Sequence, residues 1–568
     1  MSIIRLKEAN CRNCYKCIRE CPVKSISFKG EQAHIIDQDC VLCGHCLYTC
    51  PQHAKEIVSD VEKVRTLVRG KNRVYVSLAP SFPSYFKGIS IAQISAVLKK
   101  MGVVQVEETA VGATKVSLQY EELMNRREMK NIITTACPSV VLLVQKYYPD
   151  LLPYLAPVVS PLLAHAKTIK EVYGARSKVV FIGPCIAKKH EAEDLTNDGL
   201  VSAALTFEEF EEWMKLENVH FEDEDTEQRG IKSNTARFYP VPGGILKTIG
   251  MPARRMYRCV GVDGMDRCIQ ALEALRSGEL TDHFIEMNAC AGACIAGPSL
   301  KHVNFFGAKD DLLTSIAHQN NETHYLSDDT HPDIQKRYID LSHEVQIPTE
   351  EQIKEILAKI GKHTKEDELN CGCCGYPSCR EKAIAVFQGK AEEEMCMPYM
   401  REKAESMSNV IIDSSPNSIL ALDASMCITE INPAACQLLG MQAADAMGKH
   451  IEEVLPSEMY YDFNQGSHDE VRDAKQTYNQ YGIIVEQTVV RVAKNNTLIV
   501  ILKDITEEEN NKQQAELMRI GTIEITQKVI DKQMRVAQEI ASLLGETTAE
   551  TKVALTRLKK SMEDGGNA

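Results

Sequence analysis

Eight of the chain's 21 cysteines lie before residue 51, and their spacing is the first chemistry the sequence offers. Cys11, Cys14, Cys17 and Cys21, followed by Pro22, read C-x2-C-x2-C-x3-C-P; Cys40, Cys43, Cys46, Cys50 and Pro51 repeat the pattern. Three thiolates at this spacing hold three corners of one iron–sulfur cubane, and the fourth cysteine reaches across to the other cluster. The expected ligand sets are Cys11, Cys14, Cys17 with Cys50, and Cys40, Cys43, Cys46 with Cys21. Zinc is the competing reading for clustered thiols, but the full pattern occurring twice favours two 4Fe-4S clusters that move electrons.

More cysteines stand where buried segments stop. "NIITTACP" carries Cys137 before a proline, "KVVFIGPC" ends on Cys185, and "FIEMNACAGACIAGP" holds Cys290 and Cys294. A lone buried cysteine before proline is usually a packed core residue. Cys290 and Cys294 are four apart, expected on one helix face, and a close thiol pair in a reducing compartment favours metal. Farther on, Cys371, Cys374, Cys379 and Cys396 give C-x2-C-x4-C-x16-C, with Cys373 as an extra thiol able to replace a neighbour. Zinc is again the alternative there.

A chain of 568 residues is too long for one core, so several domains are expected. Hydrophobic content of 44% and charged content of 25% are ordinary for a globular protein. A net charge of -14 argues against nucleic acid or an anionic membrane as the main partner. No apolar run is long enough to span a bilayer, and "MSIIRLKEANC" has no signal-peptide core, so a cytoplasmic location is expected.

The elements that must position these thiols follow from the apolar patterning. "SISFKGEQAHIID" reads as a hairpin between the first two cysteine runs. From Val74 apolar runs alternate with amphipathic helices, the pattern of an α/β region. "VYVSLAP", "NIITTACP" and "KVVFIGPC" read as buried strands entering proline-marked turns, so Pro80, Cys137 and Cys185 belong at strand ends, where open α/β folds gather function. Glu222–Asn234 reads as an acidic surface insertion, and Glu350–Ile360 and Tyr399–Ile412 as helices.

With these motifs in place, the first ~55 residues resemble a bacterial two-cluster ferredoxin. "TTACP", "GPCIAKKHE" and "FIEMNACAGACIAGP", in this order behind such a segment, resemble the three signature motifs of [FeFe] hydrogenases, over roughly residues 1 to 345. The resemblance implies an H-cluster, a 4Fe-4S cubane joined through one thiolate to a two-iron unit bearing CO, cyanide and an azadithiolate. Cys137, Cys185, Cys290 and Cys294 match its cubane ligands, Cys294 being the bridging thiolate. Lys188 matches the lysine that donates a charged hydrogen bond to a cyanide, a role suited to a buried anion; a solvated lysine beside Lys189 is the plain alternative. Ala79, Pro80 and Ser81 resemble the loop against the two-iron unit, and Gly243 and Gly244 a close-approach glycine turn there. The Cys371–Cys396 segment resembles a small four-iron domain of ion-pumping reductases.

The departures from the family pattern matter as much. Catalytic members carry a proton-relaying cysteine where this chain has Ala136. Methionines that contact the two-iron unit are replaced by Gly183 and Asn288, and the tryptophan after the first motif by Val140. A glutamate-rich relay helix keeps Glu121 and Glu122, with Asn125 at a later acidic position. Ala136 and Asn125 are therefore the positions where the proton path is expected to differ, with Glu122 a retained candidate for it.

Residues from about 406 to 505, including "SNVIIDSSPNSILALDASMCITEINPAACQLLGM", resemble a PAS domain, either a ligand pocket or a dimerisation module. His450 is expected on the surface rather than as a haem ligand. In the tail, Val529, Val536, Ile540 and Leu543 form a helical stripe interrupted at Gly545 and resumed by Val553, Leu555 and Leu558, which fits a hairpin or a bent coiled coil, packed on its own chain or on a second copy. No histidine follows His468, so any kinase or phosphatase output belongs to another chain.

The expected architecture is multidomain α/β: a two-cluster ferredoxin-like domain (1–60), an H-cluster α/β domain (61–348), a 4Fe-4S domain (349–405), a PAS α+β domain (406–505) and a helical output or dimerisation tail (506–568). This arrangement resembles the sensory branch of [FeFe] hydrogenases. It implies slow, reversible splitting of dihydrogen, electrons passing to ferredoxin or another carrier, and a homodimer. The contrasting expectation is a ferredoxin-linked catalytic hydrogenase whose PAS domain only dimerises it.

Overall fold

The computed structural model describes residues 2–222, 235–300, 304–318, 330–457, 459–460, 463, 469–492 and 497–564. The expected insertion at Glu222–Asn234 lies, but for its first residue, outside the described residues. The chain divides into two compact units, Met1–Met400 and Arg401–Ala568.

The first unit opens with four short strands, β1 (Ile4–Leu6), β2 (Ile26–Lys29), β3 (Gln32–Ile35) and β4 (Lys55–Ile57). β2 and β3 form the expected hairpin, Ile26 opposite Ile35, while β1 and β4 pair antiparallel and tie the segment's ends together. Seven further strands follow: β5 (Val74–Leu78), β6 (Gln105–Glu108), β7 (Ile132–Ile133), β8 (Lys178–Gly183), β9 (Ala203–Thr206), β10 (Arg258–Asp263) and β11 (His283–Asn288). They build two parallel sheets, one of order β6-β5-β8-β9 and one of order β10-β11-β7. β5 is buried at every residue, as parallel strands covered by helices on both faces are, and reads as a continuous apolar run for that reason.

The helices that cover these sheets start where the sequence supplies caps. Ser160 Oγ accepts from the Leu163 N–H ahead of Pro161–Tyr173, and Cys137 is the N-cap of Pro138–Tyr147 with Pro138 in the first turn. Gly112 lets two helices touch backbone to backbone, since a Cβ there would lie 2.2 Å from the Pro161 carbonyl oxygen and 2.6 Å from the His165 nitrogen.

One core runs from Ile18, Phe28 and Val41 through Val140, Ile285 and Met287 to Tyr376 and Met395. The N-terminal cysteine segment, the second sheet and the Cys371–Cys396 segment are thus a single packed body. Arg19 Nη2 donates to the Cys373 carbonyl at 3.2 Å, Lys24 Nζ to the Gly375 carbonyl at 3.2 Å, and Gly375 lies so close to Ile18 that a Cβ would stand 3.0 Å from its Cγ2.

The second unit holds a five-stranded antiparallel sheet of order β13-β12-β16-β15-β14, made of β12 (Ser418–Leu422), β13 (Ile428–Ile431), β14 (Glu470–Tyr478), β15 (Ile483–Val492) and β16 (Thr497–Asp504). Asn432 caps the helix Pro433–Leu439 as expected, accepting from the Ala435 N–H at 2.9 Å. His450 is the N-cap of Ile451–Val454 and partly exposed, which gives it a structural task at the surface. The tail corrects the sequence reading. It is one helix, Thr506–Asp564, that runs through Gly545 without a hairpin, because a single glycine costs a long helix only about 1 kcal/mol. Leu517, Val529, Val536, Ile540, Leu543 and Leu555 are all exposed on it.

Candidate functional site

The carboxyl ends of four parallel strands converge. β5 runs into Ala79, Pro80 and Ser81; the segment after β7 brings Ala136 and Cys137; β8 leads to Pro184 and Cys185; β11 ends in Asn288 before Cys290. All of these residues, together with Cys294 and Lys188, line one cavity of about 100 Å³. This is where open α/β sheets place ligands, outside the carboxyl ends of their strands.

Cys290 and Cys294 reach the cavity by a route the sequence did not suggest. They do not share a helix face. Gly292 and Ala293 take positive φ values of 95° and 57°, so the chain reverses between the two thiols, and Cys294 sits in a short 3-10 turn, Ala293–Ala296. The four thiols are half-buried around the one cavity. Burial, then Cys137, pushes the Cys185 thiol up to about 11 against the pull of Lys188; burial and the neighbouring thiols push Cys290 and Cys294 higher still. A set of thiolates in such a place needs a bound cation core, and an iron–sulfur group meets that need.

Two further observations fit a group larger than a cubane. Ser81 Oγ is buried at the cavity with no hydrogen-bond partner. The cavity is also about five times larger than two others, each of about 20 Å³, that are lined by four cysteines apiece. One of these holds Cys11, Cys14, Cys17 and Cys50, the other Cys371, Cys374, Cys379 and Cys396. The remaining set is close as well, since Cys21, Cys40 and Cys43 all raise the Cys46 thiol, after burial. Among the described residues no three His, Cys, Asp or Glu side chains converge on a single-ion site; the thiols border spaces instead.

Lys188 is not a solvated lysine. It is buried at the cavity wall with Nζ 2.6 Å from Glu191 Oε2, and Lys189 is separately held by Glu209 at 2.7 Å and Asp60 at 3.4 Å. Asn288 Nδ2 donates to Glu286 Oε1 at 3.2 Å, from a position at the cavity wall. Gly183 cannot be larger, because a Cβ would meet the Phe181 ring at 2.4 Å, and Phe181 itself lines the cavity. Val140 is fully buried in the helix behind.

Two expectations need correction. Glu122 is about half exposed and bound to Arg126 on the outer face of its helix, so its carboxylate points away from the cavity. Gly243 and Gly244 do not line the cavity. Gly244 is required because a Cβ would lie 1.8 Å from the Phe238 carbonyl oxygen, and the turn serves to bring Pro240 and Ile245 to the wall. Cys373 is not among the four cysteines lining that cavity of its segment, but its thiol is hydrogen-bonded to Cys371, so it remains an extra thiol able to replace a neighbour.

The sequence reading missed several polar residues. The Tyr120 hydroxyl accepts the Thr135 N–H at 2.9 Å just before Ala136, and Glu286 lies buried behind Asn288. Two acidic residues inside a buried strand, Glu107 and Glu108 in "QVEE", were the available signal. Glu108 is held by Arg237, whose Nε lies 2.7 Å away, and Glu107 by His165 at 3.2 Å.

Residues 72–298 match the family model of the iron-only hydrogenase large subunit, C-terminal domain. The chain is homologous to the [FeFe] hydrogenases. This hydrogenase homologue also matches a 4Fe-4S dicluster domain over residues 3–51, an Fe-S cluster family over 367–398 and the PAS fold over 407–505. It is 25% identical over 361 residues to the periplasmic [Fe] hydrogenase large subunit of Nitratidesulfovibrio vulgaris, covering 52% of this chain and 86% of that one. It is 23% identical to iron hydrogenase 1 of Clostridium pasteurianum, covering 43% of this chain and 53% of that protein. Among solved structures, [FeFe]-hydrogenase HydA1 from Chlamydomonas reinhardtii aligns at 15% identity with a TM-score of 0.40, over 50% of this chain and 100% of its own. No described helix of the homologue is long and apolar enough to cross a membrane.

Proposed function

We propose that the protein is a dihydrogen sensor, a slow and reversible [FeFe] hydrogenase whose redox state is read by its PAS unit. The observation that carries this reading is Ala136 at the wall of the thiol-lined cavity, where a proton-relaying thiol would stand in a fast enzyme. An H-cluster bound there would supply the two-electron oxidation of dihydrogen to two protons. Cys137, Cys185, Cys290 and Cys294 would hold it. Lys188 would orient and neutralise its anionic part with a charged hydrogen bond, Ser81 Oγ would offer a further one, and Pro80, Phe181 and Ile245 would exclude water.

Electrons have a packed route outward. Leu42 and Cys43 border the same cavity, so the proposed cluster of Cys40, Cys43, Cys46 and Cys21 would take electrons first. The cluster of Cys11, Cys14, Cys17 and Cys50 stands beside it, and the one held by Cys371, Cys374, Cys379 and Cys396 packs on Ile18, Arg19 and Lys24. That last quartet immediately precedes the PAS segment in sequence, which makes its charge the natural signal. Ferredoxin or a similar carrier would accept electrons; the exposed apolar residues of the tail suit a homodimer that passes the signal to a separate kinase or phosphatase. The five-segment division 1–60, 61–348, 349–405, 406–505 and 506–568 and a cytoplasmic location complete the proposal; all 21 cysteines are free, as suits a reducing compartment.

The test is an infrared titration of anaerobically matured protein with dihydrogen, alongside its iron and zinc content. CO and cyanide bands that shift with dihydrogen, about 18 irons per chain and slow turnover are expected. Turnover matching a dedicated hydrogenase would favour the catalytic reading instead, and stoichiometric zinc would remove the Cys371–Cys396 cluster.

A further inference from the structure

Behind the cavity wall, a continuous hydrogen-bonded chain leads to the surface. Thr109 lines the cavity, and its Oγ1 lies 2.7 Å from Ser77 Oγ. Ser77 Oγ is 2.8 Å from His165 Nδ1, His165 Nε2 is 3.2 Å from Glu107 Oε2, and the Tyr173 hydroxyl donates to Glu107 Oε1 at 2.7 Å. Ser77, His165 and Glu107 are essentially inaccessible, while Tyr173 is partly exposed. The fold builds this line deliberately: Ser77 and Glu107 are register partners on β5 and β6, and both His165 and Tyr173 come from the helix Pro161–Tyr173. The close approach of Gly112 to the His165 backbone sets the imidazole between Ser77 and Glu107. A buried His–carboxylate pair is a poor device for stability, because apolar residues of similar size would avoid the desolvation. Its one end at the cavity and other end at solvent suggest what it is for.

We propose that Thr109, Ser77, His165, Glu107 and Tyr173 are a proton relay between the central cavity and the surface, replacing the route that Ala136 closes. A proton reaching Thr109 Oγ1 releases that hydroxyl's own proton to Ser77, and Ser77 passes its proton to His165 Nδ1. His165 then gives its Nε2 proton to Glu107, which hands a proton on through the Tyr173 hydroxyl to water. Each hop forms one O–H or N–H bond as it breaks another, so one proton leaves per passage. The Glu107 carboxyl turns to present its proton to a Tyr173 hydroxyl turned to water, and the hydroxyls, the carboxyl and the His165 ring then rotate back to restore the Nε2–H tautomer. The two electrons of each dihydrogen leave separately, through the iron–sulfur quartets to an external carrier. All five groups can both donate and accept in the required order, with His165 alternating between tautomers. The inference rests on the hydrogenase reading above.

The experiment uses matured full-length protein, unmodified and with Glu107→Gln or Ser77→Ala. The hydrogen-minus-argon infrared difference spectrum of the unmodified protein should contain a carboxyl C=O band that shifts in D2O and is missing in Glu107→Gln. Both variants should keep the CO and cyanide bands and lose ~10²–10⁴-fold in dihydrogen/D2O exchange, the usual worth of a positioned acid–base relay. Unchanged exchange in either variant with intact CO and cyanide bands, or a carboxyl band surviving in Glu107→Gln, overturns the relay alone. Should Glu107→Gln fail to assemble, Ser77→Ala decides by the same exchange criterion, since it leaves the His165–Glu107 pair in place. Absence of CO and cyanide bands in the unmodified protein overturns the hydrogenase reading, and the relay with it.

Discussion

Lys188 Nζ lies 2.6 Å from Glu191 Oε2, with the two side chains only 9% and 11% exposed, and the lysine at the wall of the central cavity. Removing one partner of such a pair strands the other charge in a poorly solvated place, at a cost of about 3–5 kcal/mol. Lys188→Met should approach the low end of that range by urea unfolding, and Lys188→Met combined with Glu191→Gln should recover most of it. Both variants should lose the CO and cyanide bands, because the charged donor is gone in each. Native-like stability of Lys188→Met would show that the ion pair contributes little.

The crossing of the N-terminal cysteines is open to a direct check. Cys50 shares a cavity with Cys11, Cys14 and Cys17, while Cys21 raises the thiols of Cys40, Cys43 and Cys46. Cys50→Ala should therefore remove or convert the cluster of the first run and leave that of the second. Electron paramagnetic resonance of the reduced variant counts which signals survive; damage confined to the second cluster would reverse the assignment.

Ala136 has no exchangeable proton, so steady-state dihydrogen oxidation should be slower than in an enzyme with a thiol there. A relay group supplies ~10²–10⁴-fold, of which the longer Thr109–Tyr173 line recovers only a part. Ala136→Cys places a thiol at the cavity, yet Glu122 faces solvent and cannot continue a path inward. Only a modest rise in rate is expected from that substitution. A rise to the full range would mean the remainder of the usual path is intact.

Glu286 provides a pH signature. Burial raises its carboxyl from 4.5 to about 7, against the pull of hydrogen bonds from the Leu246 N–H and Asn288 Nδ2. Below about 4.5 both folded and unfolded chains hold the proton. Between there and about 7 only the folded chain does, so stability falls with rising pH, by about 1.4 kcal/mol per unit and ~3 kcal/mol in all, and levels off above 7. Glu286→Gln should flatten that slope and be the more stable protein at pH 8. Parallel stability curves from pH 5 to pH 8 would remove Glu286 as the cause.

The tail carries Leu517, Val529, Val536, Ile540, Leu543 and Leu555 exposed along one uninterrupted helix. Fifty-nine residues are long enough for a coiled coil with a second copy. Ending the chain at residue 505 should take the particle from dimer to monomer by light scattering. A truncated chain that remains a dimer would assign dimerisation to another surface.

What could be read from the linear chain was whatever local spacing encodes. The repeated C-x2-C-x2-C-x3-C-P runs, the proline-marked ends of "VYVSLAP", "NIITTACP" and "KVVFIGPC", and the Asn432-Pro433 helix start all describe neighbours within a few residues, and the strands and caps stand where those signals place them. The pairing of β2 with β3 was legible for the same reason, since a hairpin is a local structure.

Relations across the fold were not. Cys290 and Cys294 were expected on one helix face, but Gly292 and Ala293 reverse the chain because the thiols must meet Cys137 and Cys185 from a parallel sheet end. Gly545 looked like a break, though nothing in the tertiary structure asks the helix to turn there. Glu122 looked like a relay by analogy of position, and only its helix's orientation turned it toward solvent. The line from Thr109 to Tyr173 joins residues up to 88 positions apart, Ser77 to His165 among them, through strand register and a glycine-mediated helix contact. Residue type and spacing determine which groups can bind metal or carry protons; which of them share a space is decided by packing, because burial brings together side chains that no local pattern connects.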